Sequence, residues 1–215
     1  MKKSVYSLVL ADDVVRAIDN MAYSMNTSRS NLINQILAQA VSYTTPEQRM
    51  KDIFTSLIRV FEPQTALQVQ EQPSDSMISL RSAIRFKYNP TIRYSVELYR
   101  TGGDAVGELK IATRTQSRQL MALLEEFFEG IVLLEKNTLK KSAYRFSGGK
   151  FHREILLENS NRLSHEQLGE AIAAYIQMLD NAMKAYFNNI NDMQTASKHI
   201  TEIYSNYINE NKILI

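Results

Sequence analysis

Val5 to Leu10 alternate between two faces, Tyr6, Leu8 and Leu10 on one and Val5, Ser7 and Val9 on the other, with Lys3 joining the second face at its start. An alternation of period two marks a strand. The period then changes to that of a helix. Asp12 and Asp13 put negative charge where a helix macrodipole favours it, and Val15, Ile18, Met21, Ala22 and Met25 recur at helical spacing. Asn26 suits the left-handed stop after a helix and Ser28 the N-cap of the next, whose apolar face is Leu32, Ile33, Ile36, Leu37 and Ala40. The predicted order is strand, helix over 12–24, tight turn, helix. A lone strand exposes a full ladder of backbone donors and acceptors, and two short helices cannot cover each other's apolar faces. A second copy of the chain solves both problems. Two such strands paired antiparallel form a ribbon whose inner face, Tyr6, Leu8 and Leu10 from each chain, rests on four helices while the outer face stays open.

The alternating strand Val5 to Leu10, the acidic start Asp12-Asp13, the Met21-Ala22 pair, the Asn26 turn and Ser28-Arg29-Ser30 leading into Leu32-Ile33 resemble the ribbon-helix-helix DNA-binding proteins of the CopG, Arc and MetJ kind. The resemblance covers about residues 3 to 44. It implies an intertwined homodimer that inserts its two-stranded ribbon into the major groove of double-stranded DNA, with Lys3, Val5, Ser7 and Val9 facing the bases. Two valines at these positions depart from the family's usual polar residues, since Val offers only contact with thymine methyl groups. The resemblance further implies that the second helix points its N-terminus at the backbone, so that Ser28, Arg29 and Ser30, with Lys2, contact phosphates. Residues 1–44 hold four basic side chains (Lys2, Lys3, Arg16, Arg29) against three acidic ones (Asp12, Asp13, Asp19), so DNA binding by one dimer is expected to be weak and salt-sensitive.

The rest of the chain reads as two further regions. A helix from about Pro46 to Phe61 and a polar stretch from Glu62 to Asp75, with two Pro and four Gln, form a connector over 46–75. From Met77 the period returns to two: Ile78, Leu80, Ile84, Phe86 and Tyr88 share one face of a predicted strand. Asn89-Pro90 turns the chain, Ile92, Tyr94, Val96 and Leu98 continue the pattern, Thr101 to Asp104 turn it again, and Leu109, Ile111 and Thr113 form a third strand. A helix from about Gln116 to Lys136 covers the apolar face of this antiparallel meander. On the other face, six basic residues, Arg81, Arg85, Lys87, Arg93, Lys110 and Arg114, stand against Glu97 and Glu108, which makes it a candidate anion-binding face. A solvated face with cross-strand ion pairs accounts for the same pattern. Tyr144 to Phe151 reads as a hairpin turning at Gly148-Gly149, and the Gly-Gly-Lys run lacks the spacing of a phosphate loop. Ser164 with Gln167 forms a capping box ahead of a helix carrying Leu168, Ile172, Tyr175, Leu179, Ala182 and Tyr186, and a last helix carries Met193, Ala196, Ile200, Ile203 and Tyr207.

The expected fold class is α+β: a ribbon-helix-helix domain over 1–45, the connector, and a domain over 76–215 for oligomerisation, partner binding or ligand sensing. No catalytic residue, metal site or cofactor is assigned. The chain has no Cys, its three His (His152, His165, His199) lie on separate elements and read as surface or capping residues, and Glu125, Glu126 and Glu129 fall on the polar side of their helix. Absence of Cys fits a reducing compartment, a net charge of +2 gives no general attraction to anionic membranes, and no apolar run approaches the ~20 residues needed to cross a bilayer. The functional expectation is a cytoplasmic transcriptional repressor, or a plasmid or phage control protein, acting as a homodimer or a higher oligomer. The alternative is an interaction or scaffold protein whose N-terminal ribbon only dimerises while the C-terminal domain does the work.

Overall fold

Capping chemistry sets the first helix boundaries. In the computed structural model, which describes residues 5–62, 66–70, 74–100, 105–139, 143–157 and 163–215, α1 spans Asp12–Ser24 and α2 spans Arg29–Ala40. Between them Asn26 adopts the left-handed conformation (φ 49°), the Thr27 amide donates to the Ala22 carbonyl and the Asn26 amide to the Tyr23 carbonyl, the paired bonds that close a helix C-terminus. The Ser28 hydroxyl accepts from the Asn31 amide and starts α2. Residues 5–11 precede α1 with no strand pairing, so the expected ribbon strand is not formed within the single chain.

The chain divides into two units, Met1–Arg49 and Met50–Ile215. The boundary falls in the first turn of α3 (Pro46–Phe61), whose Met50, Ile53, Phe54, Leu57 and Phe61 are all buried in the core of the second unit. Its apolar stripe is too rich to remain in solvent.

The second unit is a six-stranded antiparallel sheet with helices on one face, an α+β architecture. Its strands are β1 (Gln68–Gln70), β2 (Met77–Ala83), β3 (Thr91–Leu98), β4 (Ala105–Thr113), β5 (Tyr144–Ser147) and β6 (Lys150–Leu156), in the spatial order β1-β2-β3-β4-β6-β5. The helices are α4 (Arg118–Lys136), α5 (His165–Asn188) and α6 (Met193–Glu210), together with α3. The sheet ends on its two shortest strands.

Two differences from expectation have local causes. The predicted linker contains β1, with Leu67 buried just before it, because a glutamine-rich segment can still pair its backbone with β2. The strand from Met77 stops at Ala83 rather than running to Tyr88. Tyr88 (φ 63°) and Asn89 (φ 43°) are left-handed ahead of Pro90, and Tyr88 is fully exposed instead of joining the apolar face. The Tyr144–Phe151 hairpin forms as expected: its Gly148-Gly149 turn, both residues at positive φ, returns β6 alongside β4 and extends the sheet.

Core contacts tie the layers together. Phe128 of α4 stacks on Phe151 of β6 with ring centroids 4.2 Å apart. Helix α5 crosses α3 so closely that a Cβ at Gly169 would lie 2.5 Å from the Ile53 carbonyl oxygen, leaving room only for glycine. Two core-facing positions hold opposite charges, Glu135 of α4 and Arg153 of β6, 3.0 Å apart and both shielded from solvent. The phenols of Tyr144 and Tyr175 each donate to Glu135 at 2.5 Å, and the Arg153 guanidinium lies 4.3 Å from the Tyr175 ring centroid and donates to the Ile215 main-chain oxygen. Each of the two charges has the other beside it, as burial requires.

Candidate functional site

Two surfaces carry the residues singled out in the sequence. The first belongs to the N-terminal unit. Of the apolar faces predicted for α1 and α2, only Ala22 and Leu32 are buried, while Met21, Met25, Ile36 and Leu37 stand exposed. Tyr6, Leu8 and Leu10, expected on the inner ribbon face, are 85 %, 57 % and 38 % exposed, and Val5 and Val9, expected on the outer face, are fully exposed. Ser7 is exposed as well. Lys2 and Lys3 lie outside the described residues. At the start of α2, Ser28 and Ser30 are exposed, and Ser28 acts as the helix cap. Arg29 makes a two-point ion pair with Asp19 of α1, Nε to Oδ1 at 2.5 Å and Nη2 to Oδ2 at 2.7 Å, while Arg16 pairs with Asp13. Arg16 and Arg29 thus have acidic partners in solvent, where an ion pair contributes little and exchanges readily.

The second surface is the outward face of the sheet. Alternation along each strand and the antiparallel register set its side chains in rows that cross the strands. One row runs Gln68, Arg81, Arg93, Ala112, Lys150, Ser147. The next runs Gln70, Ser79, Ser95, Lys110, His152, Arg145, and beyond it Glu97, Glu108 and Glu154 stand side by side. The middle row leans toward the acidic one. Lys110 Nζ lies 2.9 Å from Glu97 and 3.2 Å from Glu108, His152 Nδ1 lies 2.8 Å from Glu108, and Arg145 reaches Glu108 at 3.9 Å. Lys110 accordingly holds its proton above the ordinary lysine range, chiefly through its hydrogen bond to Glu97. Burial raises the nearby Tyr99 phenol, and the three carboxylates raise it further.

The six basic residues expected on this face therefore separate. Arg81, Arg93 and Arg114 converge on one concavity of about 620 Å³, lined also by Gln70, Thr91, Ala112, Thr113 and Lys150. Lys110 is absorbed by carboxylates. Arg85 and Lys87 sit in the loop after β2, because that strand ends early, and do not line the concavity. Lys150 joins the group instead. Sequence reading missed it because pairing of β4 with β6, some 40 residues apart, leaves no local signature.

The histidines do not form a site. His165 opens α5 with Nδ1 3.2 Å from Asp52, His199 lies near Asn189, and His152 is a partly buried sheet residue rather than a surface or capping one. Among the described residues no three His, Asp or Glu side chains group as metal ligands, and no helix is long and apolar enough to cross a membrane. Comparison with protein-family models, with curated proteins and with solved structures returned no match.

Proposed function

We propose that this chain is a sequence-specific DNA-binding regulator of ribbon-helix-helix type, acting in the cytoplasm as a homodimer. The observation that carries the reading is the set of apolar side chains, Tyr6, Leu8, Leu10, Met21, Ile36 and Leu37, that the single chain leaves in water next to an unpaired segment of alternating pattern. Large apolar side chains left in water in such number favour an interaction surface. Antiparallel pairing of two such segments satisfies their backbone groups and buries Tyr6, Leu8 and Leu10 between the chains. The same pairing turns Lys3, Val5, Ser7 and Val9 outward as a ribbon of a width the major groove accepts. The first turn of α2 then offers its backbone N–H groups, the Ser30 hydroxyl and Arg29, released from Asp19, to flanking phosphates.

The test combines sedimentation with retention of promoter DNA at low salt. Wild type sediments as a dimer and retains its own promoter over random sequence. Leu8→Asp places a charge at the ribbon interface, and is expected to shift the protein to monomer and weaken DNA retention by at least about a hundredfold, the order expected from burying an unpaired charge. Ser7→Ala leaves the dimer intact and alters sequence preference. A dimer that holds promoter and random DNA equally overturns the reading and leaves the N-terminal unit as a dimerisation module alone.

A further inference from the structure

Among the described residues, the lining of the concavity on the outward sheet face contains no carboxylate. Arg81 of β2 and Arg93 of β3 are direct cross-strand partners, an arrangement of like charges that costs stability in a sheet. Arg114 follows β4, and Lys150 begins β6. Among the described residues no carboxylate comes within 4.0 Å of any of the four, and the side-chain hydrogen bond from Arg93 to Gln70, at 3.5 Å, is long. The carboxylates of the face are gathered at its far end, four residues along the strands, where Lys110, His152 and Arg145 already engage them. Ala112 occupies the row between Arg93 and Lys150, and its small side chain leaves space between long cationic ones.

We infer that this concavity binds a compact polyanion, a small ligand carrying two or more phosphate groups, recognised through those groups. The guanidinium forks of Arg81, Arg93 and Arg114 supply paired donors that match phosphate oxygens, Lys150 adds a mobile charge, and the Thr91 hydroxyl and Gln70 amide complete the donor set, while the Thr113 hydroxyl already donates to the Thr91 carbonyl. Among the described residues the lining contains no aromatic side chain on which a base could stack, which disfavours single-stranded nucleic acid. The acidic row of Glu97, Glu108 and Glu154 lies roughly 13 Å along the strands from the arginine row, and repels a duplex laid over the face. The site is independent of whether the N-terminal unit binds DNA.

Calorimetric titration of the full chain with sodium triphosphate at low salt tests the inference. One triphosphate per chain is expected to bind, with ATP binding about equally because the base is not read. Arg93→Gln and Arg114→Gln are each expected to weaken triphosphate binding about tenfold, the usual loss of a charged hydrogen-bonding partner. Arg114 follows the last residue of its strand, so its variant leaves the ladder untouched. Lys198→Gln on α6 removes the same charge at a distance and is expected to change nothing. Absence of binding by wild type overturns the inference, as does an equal loss in Lys198→Gln. A parallel loss of affinity for a 20-base-pair duplex in Arg93→Gln also overturns it, and would assign the face to nucleic acid.

Discussion

The two units solve the problem of burying apolar surface in opposite ways. The second, residues 50–215, folds around one core that unites four helices and all but the outer face of a six-stranded sheet, and it buries even an ion pair. Among the described residues of the first, the apolar residues that lose nearly all contact with water are Ala22, Leu32 and Ala38, while larger side chains on both helices and on residues 5–10 remain wet. A folding unit of that size with so small a core is marginal in stability. One unit is complete as a single chain, and on the proposed reading the other becomes complete only by association. Denaturation at several protein concentrations should show it: a concentration-dependent transition for the first unit and an independent one for the second.

Damage to the self-sufficient core is expected to have the largest effect on this contrast. Arg153→Met strands the Glu135 carboxylate in the interior and is expected to destabilise the second unit by about 3–5 kcal/mol, read by chemical denaturation. Adding Glu135→Leu removes the stranded charge and should recover part of that loss. Gly169→Ala comes next. The new methyl meets the Ile53 carbonyl at 2.5 Å and Ser56 Cβ at 2.8 Å, and forcing α3 from α5 is expected to cost about 1–3 kcal/mol with unchanged dimerisation. The smallest effect is electrostatic. Burial pushes the Glu108 carboxyl up, but hydrogen bonds from His152 and Lys110 outweigh it and hold the group below its ordinary value of 4.5. A folded value below the unfolded one stabilises above pH 4.5 and loses that contribution as pH falls through the folded value. Glu108→Gln should therefore be slightly less stable than wild type at neutral pH, the gap closing in acid.

Much of this architecture was legible in residue order alone, where the signal is local. Asp12, Asn26 and Ser28 announced α1, the turn and α2, and the structure places the helices at Asp12–Ser24 and Arg29–Ala40. The Ser164–Gln167 capping box and the Gly148-Gly149 turn stand where their chemistry puts them. What escaped is what depends on distant pairing. β1 is a three-residue Gln-Val-Gln segment paired with β2, and β6 enters the sheet beside a strand far away in the chain. That second gap hid Lys150 from the basic group. Glu135 and Arg153 did carry a signal. Glu135 falls four residues after Ile131 on the apolar stripe of α4, and Arg153 alternates with Phe151 and Ile155 on the core face of β6. Opposite charges on two buried faces are a pairing hypothesis, which attention to hydrophobic positions alone passes over. The sorting of Arg81, Arg93 and Arg114 from Lys110 required the register, since only the rows show which cations have carboxylates beside them.

The brevity of the outermost strands governs how copies of this molecule meet. With three described residues at one margin and four at the other, these strands offer an incoming segment a bond or two of backbone pairing. Neighbouring molecules in a crowded solution gain little by stacking sheet against sheet into fibrils. The hunger for a strand partner is then concentrated at the amino-terminal residues of each copy, which in the proposed dimer satisfy one another in pairs and stop.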